Sequence, residues 1–169
     1  MRLGVPVLVI VFDRMPKAEA NDTLTAWDCH WLGPCRRPFG VQAFGLWLDG
    51  ELLAVAISAS TVNASRGGYK RGEVVELARL TSHPDHTDMT RVALRLWRKV
   101  AAREWAKYWP VKAYVSYANA ARHKGDIYRF DGWKKVADVR GGRAGTNTGW
   151  TRPRKDYEAK AVWVWEMSA

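Results

Sequence analysis

Two apolar runs, Val41 to Leu48 and Glu51 to Ser60, flank Asp49-Gly50, and no other local feature restricts the chain as tightly. An Asp-Gly pair between strand-length apolar segments is a strong short-range signal for a β-hairpin. The hairpin commits the chain to a sheet, and the remaining segments read as strands that extend it or helices that cover it.

Val5 to Phe12 is β-branched and apolar, which fits a strand. A short helix is expected from about Asn21 to Trp31, capped by Asn21 or Asp22, before Gly33-Pro34 and Arg37-Pro38 break the chain. Residues 61–72 form a polar, glycine-rich loop, and Glu73 to Leu80 returns to a strand pattern. His83 to His86 reads as a turn. Asp88 to Tyr108 has helical composition, with Val92, Leu96, Val100 and Ala101 on one face, until Pro110 stops it. A strand over Lys112 to Tyr117, a short helix over Lys124 to Phe130 and a strand over Trp133 to Val139 follow. A loop from Arg140 to Asp156 and a last strand, Ala161 to Met167, complete the chain. There is no linker or repeat. The order predicts a single α/β domain over residues 1–169, with a mixed, mostly antiparallel central sheet flanked by helices.

With 169 residues, 47% hydrophobic, the chain is long enough for one real core and too apolar for disorder. Its ten tryptophans could fill that core, stack on bases or line a groove, so their number decides nothing. Lys and Arg number 27 against 17 Asp and Glu, a net charge of +10 that favours polyanionic partners and equally suits a merely basic protein. Cys29 and Cys35 make neither a disulfide framework nor a complete zinc site. Val5 to Phe12 is too short to span a bilayer and lacks the charged and cleavage regions of a signal peptide. The chain therefore reads as cytoplasmic, with reduced thiols and no membrane association.

A strand leading into a long helix, then a strand leading into a short helix with a tyrosine, resembles the acetyltransferase fold of the GNAT superfamily. Val74 to Leu80 with Met89 to Lys107 would be the first pair, and Lys112 to Tyr117 with Lys124 to Phe130 the second. Asn119, Tyr128 and the closing Asp131-Gly132-Trp133 are similar to that superfamily's asparagine, tyrosine and Gly-aromatic pattern. A narrower likeness rests on Glu76-Leu77-Ala78-Arg79, Ser116-Tyr117-Ala118-Asn119, His123-x-Gly125-x-Ile127-Tyr128 and Gly132-Trp133. This combination resembles the Mom family, phage DNA-modification proteins of GNAT type. Cys29-His30-Trp31-Leu32-Gly33 resembles that family's early histidine region more loosely. The likeness covers residues 73–139 well and about 25–60 weakly. It implies an enzyme that uses acetyl-CoA to modify the exocyclic amine of adenine in double-stranded DNA, protecting it from restriction. The chain departs from the pattern in having Asn119 where an aspartate is usual. It also carries Thr81 to Thr90, TSHPDHTDMT, where GNAT enzymes have a glycine-rich phosphate loop, so Thr87, Thr90 and Arg91 would take more of that work.

The resemblance assigns roles that the residues themselves leave open. Glu76 would be a general base, or simply the partner of Arg79 or another arginine. Tyr128 would protonate the leaving CoA thiolate, or be a core aromatic with its hydroxyl at the rim. Asn119 suits an anchor better than a base, because an amide does not titrate usefully. His30 and His123 join Glu76, Tyr128 and Asn119 as candidate catalytic residues, and the same histidines are the candidates for an iron or zinc site that would need a distant partner. Leu80, Thr81, Thr87, Thr90, Arg91, Ser116, Tyr117 and Tyr128 would line the acetyl-CoA site, near the carboxyl ends of the strands. Arg66, Lys70, Arg71, Arg143, Arg152 and Arg154 lie in glycine-rich loops that could wrap a nucleic-acid strand. Trp150 is a stacking platform worth about 1–3 kcal/mol per base if so used, while the plain alternative is a solvated loop.

Three functions follow. The first is the Mom-like transferase, with adenine flipped from the duplex. The second is a GNAT N-acetyltransferase acting on a small-molecule or protein amine, against which the positive charge counts when the substrate is a cation. The third is a non-catalytic DNA-binding protein of the same fold. Oligomeric state stays open, a homodimer among the readings.

Overall fold

A computed structural model describes residues 8–38, 40–61, 65, 66, 68–139 and 158–167. Its hairpin follows the turn chemistry. Asp49 and Gly50 take φ of 48° and 88°, the two positive values of a type I′ turn, and join β2 (Gln42–Leu48) to β3 (Glu51–Ala59). The turn also fixes the neighbouring strand, since the Val9 N–H donates to Asp49 Oδ1 at 2.9 Å and the Asp49 N–H to Val9 O at 3.0 Å.

That neighbour, β1, is Ile10–Met15 and not Val5 to Phe12; residues 1–7 lie outside the described set. As an edge strand it tolerates the charged Asp13 and Arg14. Helix α1 is Lys17–Trp27, four residues earlier than Asn21, because Pro16 supplies a fixed φ of −59° at its start. Asn21 instead holds the next loop: its Oδ1 accepts from Cys35 N at 2.7 Å. Within the expected loop 61–72 the chain makes a two-residue-per-strand ribbon, β4 (Ser65–Arg66) and β5 (Tyr69–Lys70).

The main sheet has seven strands in the order β1-β2-β3-β6-β7-β9-β8, with β6 as Val74–Ser82, β7 as Ala113–Asn119, β8 as Lys134–Val139 and β9 as Lys160–Glu166. Every neighbouring pair is antiparallel except β6 and β7. A parallel pair needs a crossover, and the long helical segment provides it. That segment is not one uninterrupted α-helix: α2 (Met89–Leu96) and α3 (Ala102–Ala106) are joined by a π-helical turn, Trp97–Ala101. The turn sets Trp97 fully inside, where its Nε1 donates to Ser58 Oγ on β3 at 2.8 Å. Helix α4 is Asp126–Phe130.

Alternation along the strands loads both faces of the sheet. Val75, Leu77, Tyr114 and Ala118 face the α2–α3 segment and pack with Trp97, Trp105, Tyr128, Trp133 and Trp163. Val55, Ile57, Ala59 and Ala78 face the other way, against Ala20 and Leu24 of α1. Most of the tryptophans within the described residues are therefore core, and the edge-to-face and stacked ring pairs among them knit the helical layer to the sheet.

Candidate functional site

The parallel pair does not stay together. β6 and β7 are in register only over Val74–Leu77 and Ala113–Ser116, although β6 continues to Ser82 and β7 to Asn119. Beyond that point β6 keeps to β3 while β7 keeps to β9. A bulge helps to part them: Ser58 faces Leu77 and Ile57 faces Arg79, so Ala78 has no opposite residue and the strand bends. The wedge between the strands opens into a cavity of about 630 Å³, a size ordinary for small-molecule sites.

Ser116 stands at the parting point. Its Oγ lies 3.2 Å from Leu77 O and 2.9 Å from the Tyr128 hydroxyl. A carbonyl can only accept, so the serine proton goes to Leu77 and the Tyr128 O–H donates to Ser116 Oγ. Tyr128 projects from α4 into the cavity wall, stacked on Trp163 at 5.6 Å. Burial pushes its phenol above the ordinary value of 10.0, and the bond with Ser116 opposes this only in part, so the group keeps its proton at neutral pH. Gly125, at φ 78°, lets the chain turn into α4 directly over the Trp163 ring.

The cavity collects most of the residues expected at an acyl-carrier site. Leu80, Thr81, Thr87 and Thr90 form one wall with Ser82, Tyr117 and Tyr128 the other, and His30 and His123 reach it from two loops. Ser116 is behind that wall, holding Tyr128. Arg91 is outside it, its guanidinium 5.5 Å from the centre of the Phe130 ring.

Three candidate catalytic residues have settings the sequence did not show. Glu76 is buried but does not line the cavity, and its Oε1 lies 2.6 Å from Arg37 Nη2. Asn119 is fully buried at the end of β7, accepting from the Ala121 N–H at 3.0 Å and donating to the Glu158 carboxylate. His30 has its pKa pushed down to about 3, first by burial, then by the Arg79 guanidinium and His123. The Leu32 N–H donates to His30 Nδ1 at 3.2 Å, which places the ring proton on Nε2. At neutral pH His30 is an uncharged donor, not a base.

Arg79 explains why the loop of His30 sits at the wedge. Its guanidinium donates to Gly33 O at 2.7 Å and Pro34 O at 3.1 Å, clamping residues 29–35 against β6. Arg122 and Lys124, which also line the cavity, escaped sequence reading, as did Arg37. The only signal for Arg122 and Lys124 was position, in the connection between a candidate strand and a candidate helix, and Arg37 had none.

His30 and His123 were the candidates for an iron or zinc site. Among the described residues no three His, Cys, Asp or Glu side chains converge as metal ligands, and His30 Nδ1 is already engaged. Of the expected nucleic-acid residues, Arg66, Lys70 and Arg71 lie in the β4–β5 ribbon and the turn that follows it. Arg71 lines a second cavity of about 480 Å³ with Trp105, Tyr108 and Trp109, and Lys70 is exposed beside it in sequence. Arg66 belongs to β4. Arg143, Trp150, Arg152 and Arg154 lie outside the described residues. No described helix is long and apolar enough to cross a membrane.

No protein-family model matches the sequence, and no curated protein matches it. Solved structures do resemble it. The ribosomal-protein-S18-alanine N-acetyltransferase of Escherichia coli superposes with a TM-score of 0.62 over 95% of this chain and 96% of its own, at 13% identity. An acetyltransferase of Bacillus subtilis in complex with CoA gives 0.58 over 96% and 100%, at 15% identity. The spermidine/spermine N-acetyltransferase of Vibrio cholerae gives 0.59 over 94% and 95%, at 8% identity. Such identities establish the fold alone: the chain has the fold of the GNAT acetyltransferases, a single α/β layer structure with a split mixed sheet.

Proposed function

We propose that the protein is an acyl-CoA-dependent N-acyltransferase whose acceptor is an amine. The observation that carries this reading is the wedge between β6 and β7 with the protonated phenol of Tyr128 in its wall. The fit to a pantetheine arm is physical. Where the strands part, their facing backbone groups are released from mutual pairing, and a chain bearing amides can bond to them as an inserted strand would. Bound acetyl-CoA would supply an activated acetyl thioester.

The residues of the chain do the rest. Tyr128 holds a proton at its hydroxyl for the thiolate sulfur, and Ser116 keeps that hydroxyl in place. His30 presents Nε2–H as a neutral hydrogen-bond donor at the cavity. His123, exposed at the same cavity, is the imidazole available to take the proton lost by the acceptor amine. Glu76 is paired with Arg37, which also donates to Ser60 O, and has a structural role in this reading.

The narrower reading, adenine in double-stranded DNA as the acceptor, keeps one observation in its favour. A net charge of +10 attracts a polyanion and repels cationic amines. One assay separates the readings. The protein is incubated with acetyl-CoA and, in parallel, with small amines, peptides carrying free amines, or duplex DNA. Thiol release is followed, and products are analysed by mass spectrometry after digestion of the DNA to nucleosides. An acetylated amine supports the general reading, and a heavier adenosine supports the narrower one. Salt-sensitive DNA binding with no binding of CoA overturns both and leaves a non-catalytic DNA-binding protein.

A further inference from the structure

The cavity has an uneven charge distribution. The wall from Thr81 to Thr90 contributes Thr81, Ser82, Pro84, Thr87 and Thr90, none of them cationic. Ser82 Oγ and Thr90 Oγ1 share one hydrogen bond at 2.7 Å, which leaves one hydroxyl proton between them. The neighbouring Asp85 and Asp88 make that side less welcoming still to an anion.

The opposite wall, the connection from β7 to α4, carries Arg122 and Lys124. Among the described residues one carboxylate lines the cavity, Asp126, and Arg129 Nη1 lies 3.3 Å from it. Arg122 Nε is 3.6 Å from Glu158, the carboxylate that Asn119 also binds, so the turn after β7 holds this guanidinium in place. Lys124 is exposed and makes no ion pair among the described residues. It is the free cation of the cavity.

Resting on the acyl-carrier reading, we propose that Lys124 and Arg122 of the β7–α4 connection bind the phosphates of the carrier. An ammonium on a flexible stem suits a phosphate as a point charge, and a planar guanidinium suits two of its oxygens at once. Placing both on the far wall supplies side-chain charge that the lining residues of the β6–α2 turn lack.

The test compares CoA with pantetheine, the same arm without nucleotide or phosphates, by calorimetry on the full chain at low salt. Lys124 is exposed, so its replacement leaves the fold intact. Lys124→Ala is expected to weaken CoA binding about tenfold, with pantetheine binding unchanged. Lys124→Glu weakens CoA further, Lys124→Arg restores it, and added salt narrows the gap between wild type and Lys124→Ala. Equal loss for both ligands, or no loss for CoA while the wild type binds it, overturns the assignment. A wild-type protein that binds neither CoA nor pantetheine overturns the acyl-carrier reading itself.

Discussion

The Tyr128 hydroxyl lies 2.9 Å from Ser116 Oγ, at the point where β6 and β7 part. The bond gives a flexible rotor one direction while the cavity is free of reactants, and leaves the phenol able to turn its proton toward a sulfur once one arrives. Tyr128→Phe keeps the ring stacked on Trp163 and edge-to-face with Trp133 and removes only the acid. We expect kcat to fall by about a hundredfold with acetyl-CoA binding changed little. Because burial raises the phenol, any loss of rate from Tyr128 ionisation should set in at higher pH than for a solvent-exposed tyrosine. A kcat within twofold of wild type in the phenylalanine variant would remove Tyr128 from the chemistry.

Glu76 and Arg37 meet at 2.6 Å with the carboxylate side chain only 4% exposed. Removing one partner of such a pair leaves the other desolvated and uncompensated. Glu76→Gln should therefore lower stability by about 1–3 kcal/mol in urea melts, discounted for the partial exposure of Arg37. Its kcat should fall less than tenfold, and Arg37→Gln should reproduce both effects. A large kcat loss in Glu76→Gln alone, with stability unchanged, would return Glu76 to the role of general base.

The path from sequence to this site was uneven for physical reasons. Local signals carried the hairpin, the helical crossover and the Tyr128 helix, because turn chemistry and periodicity act over a few residues. They also brought Tyr117, Thr87, Thr90 and His123 to one cavity, since the ends of adjacent strands must share it. Contacts between distant segments were invisible. Arg37 and Glu76 are 39 residues apart, as are Asn119 and Glu158, and nothing in either segment announces its partner. The start of α1 was misplaced because Asn21 looked like a cap, whereas Pro16 begins the helix and Asn21 binds Cys35. The π-helical turn at Trp97 has no composition signal at all; burial of one large ring against Ser58 goes with it.

Gly125 and Gly132 bracket α4 with similar backbones, φ 78° and 87°, but different neighbours. A Cβ at Gly125 would sit 2.6 Å from Cε2 of Trp163, while one at Gly132 meets nothing closer than 3.9 Å. Gly132→Ala should cost only the left-handed strain, about 1 kcal/mol. Gly125→Ala adds a clash with a ring that is itself pinned against Tyr128, so about 2–4 kcal/mol is expected, together with a fall in kcat as Tyr128 is displaced. Equal melting temperatures for the two variants would show that the Trp163 contact is slack.

His30 ties stability to pH. In the unfolded chain its imidazole takes up a proton below about 6.5, and in the folded protein only near 3, because burial and the Arg79 charge oppose it. The unfolded state thus binds the extra proton throughout that window, and stability is full above about 6.5 and declines as pH falls toward 3. The slope has a ceiling of about 1.4 kcal/mol per pH unit, lowered by the solvent that reaches the half-buried ring. His30→Gln keeps a side chain that can accept from the Leu32 N–H yet cannot titrate, and should flatten the decline between pH 6 and pH 4 in urea melts. An unchanged slope in that variant would mean that His30 takes its proton in the fold as readily as in the open chain.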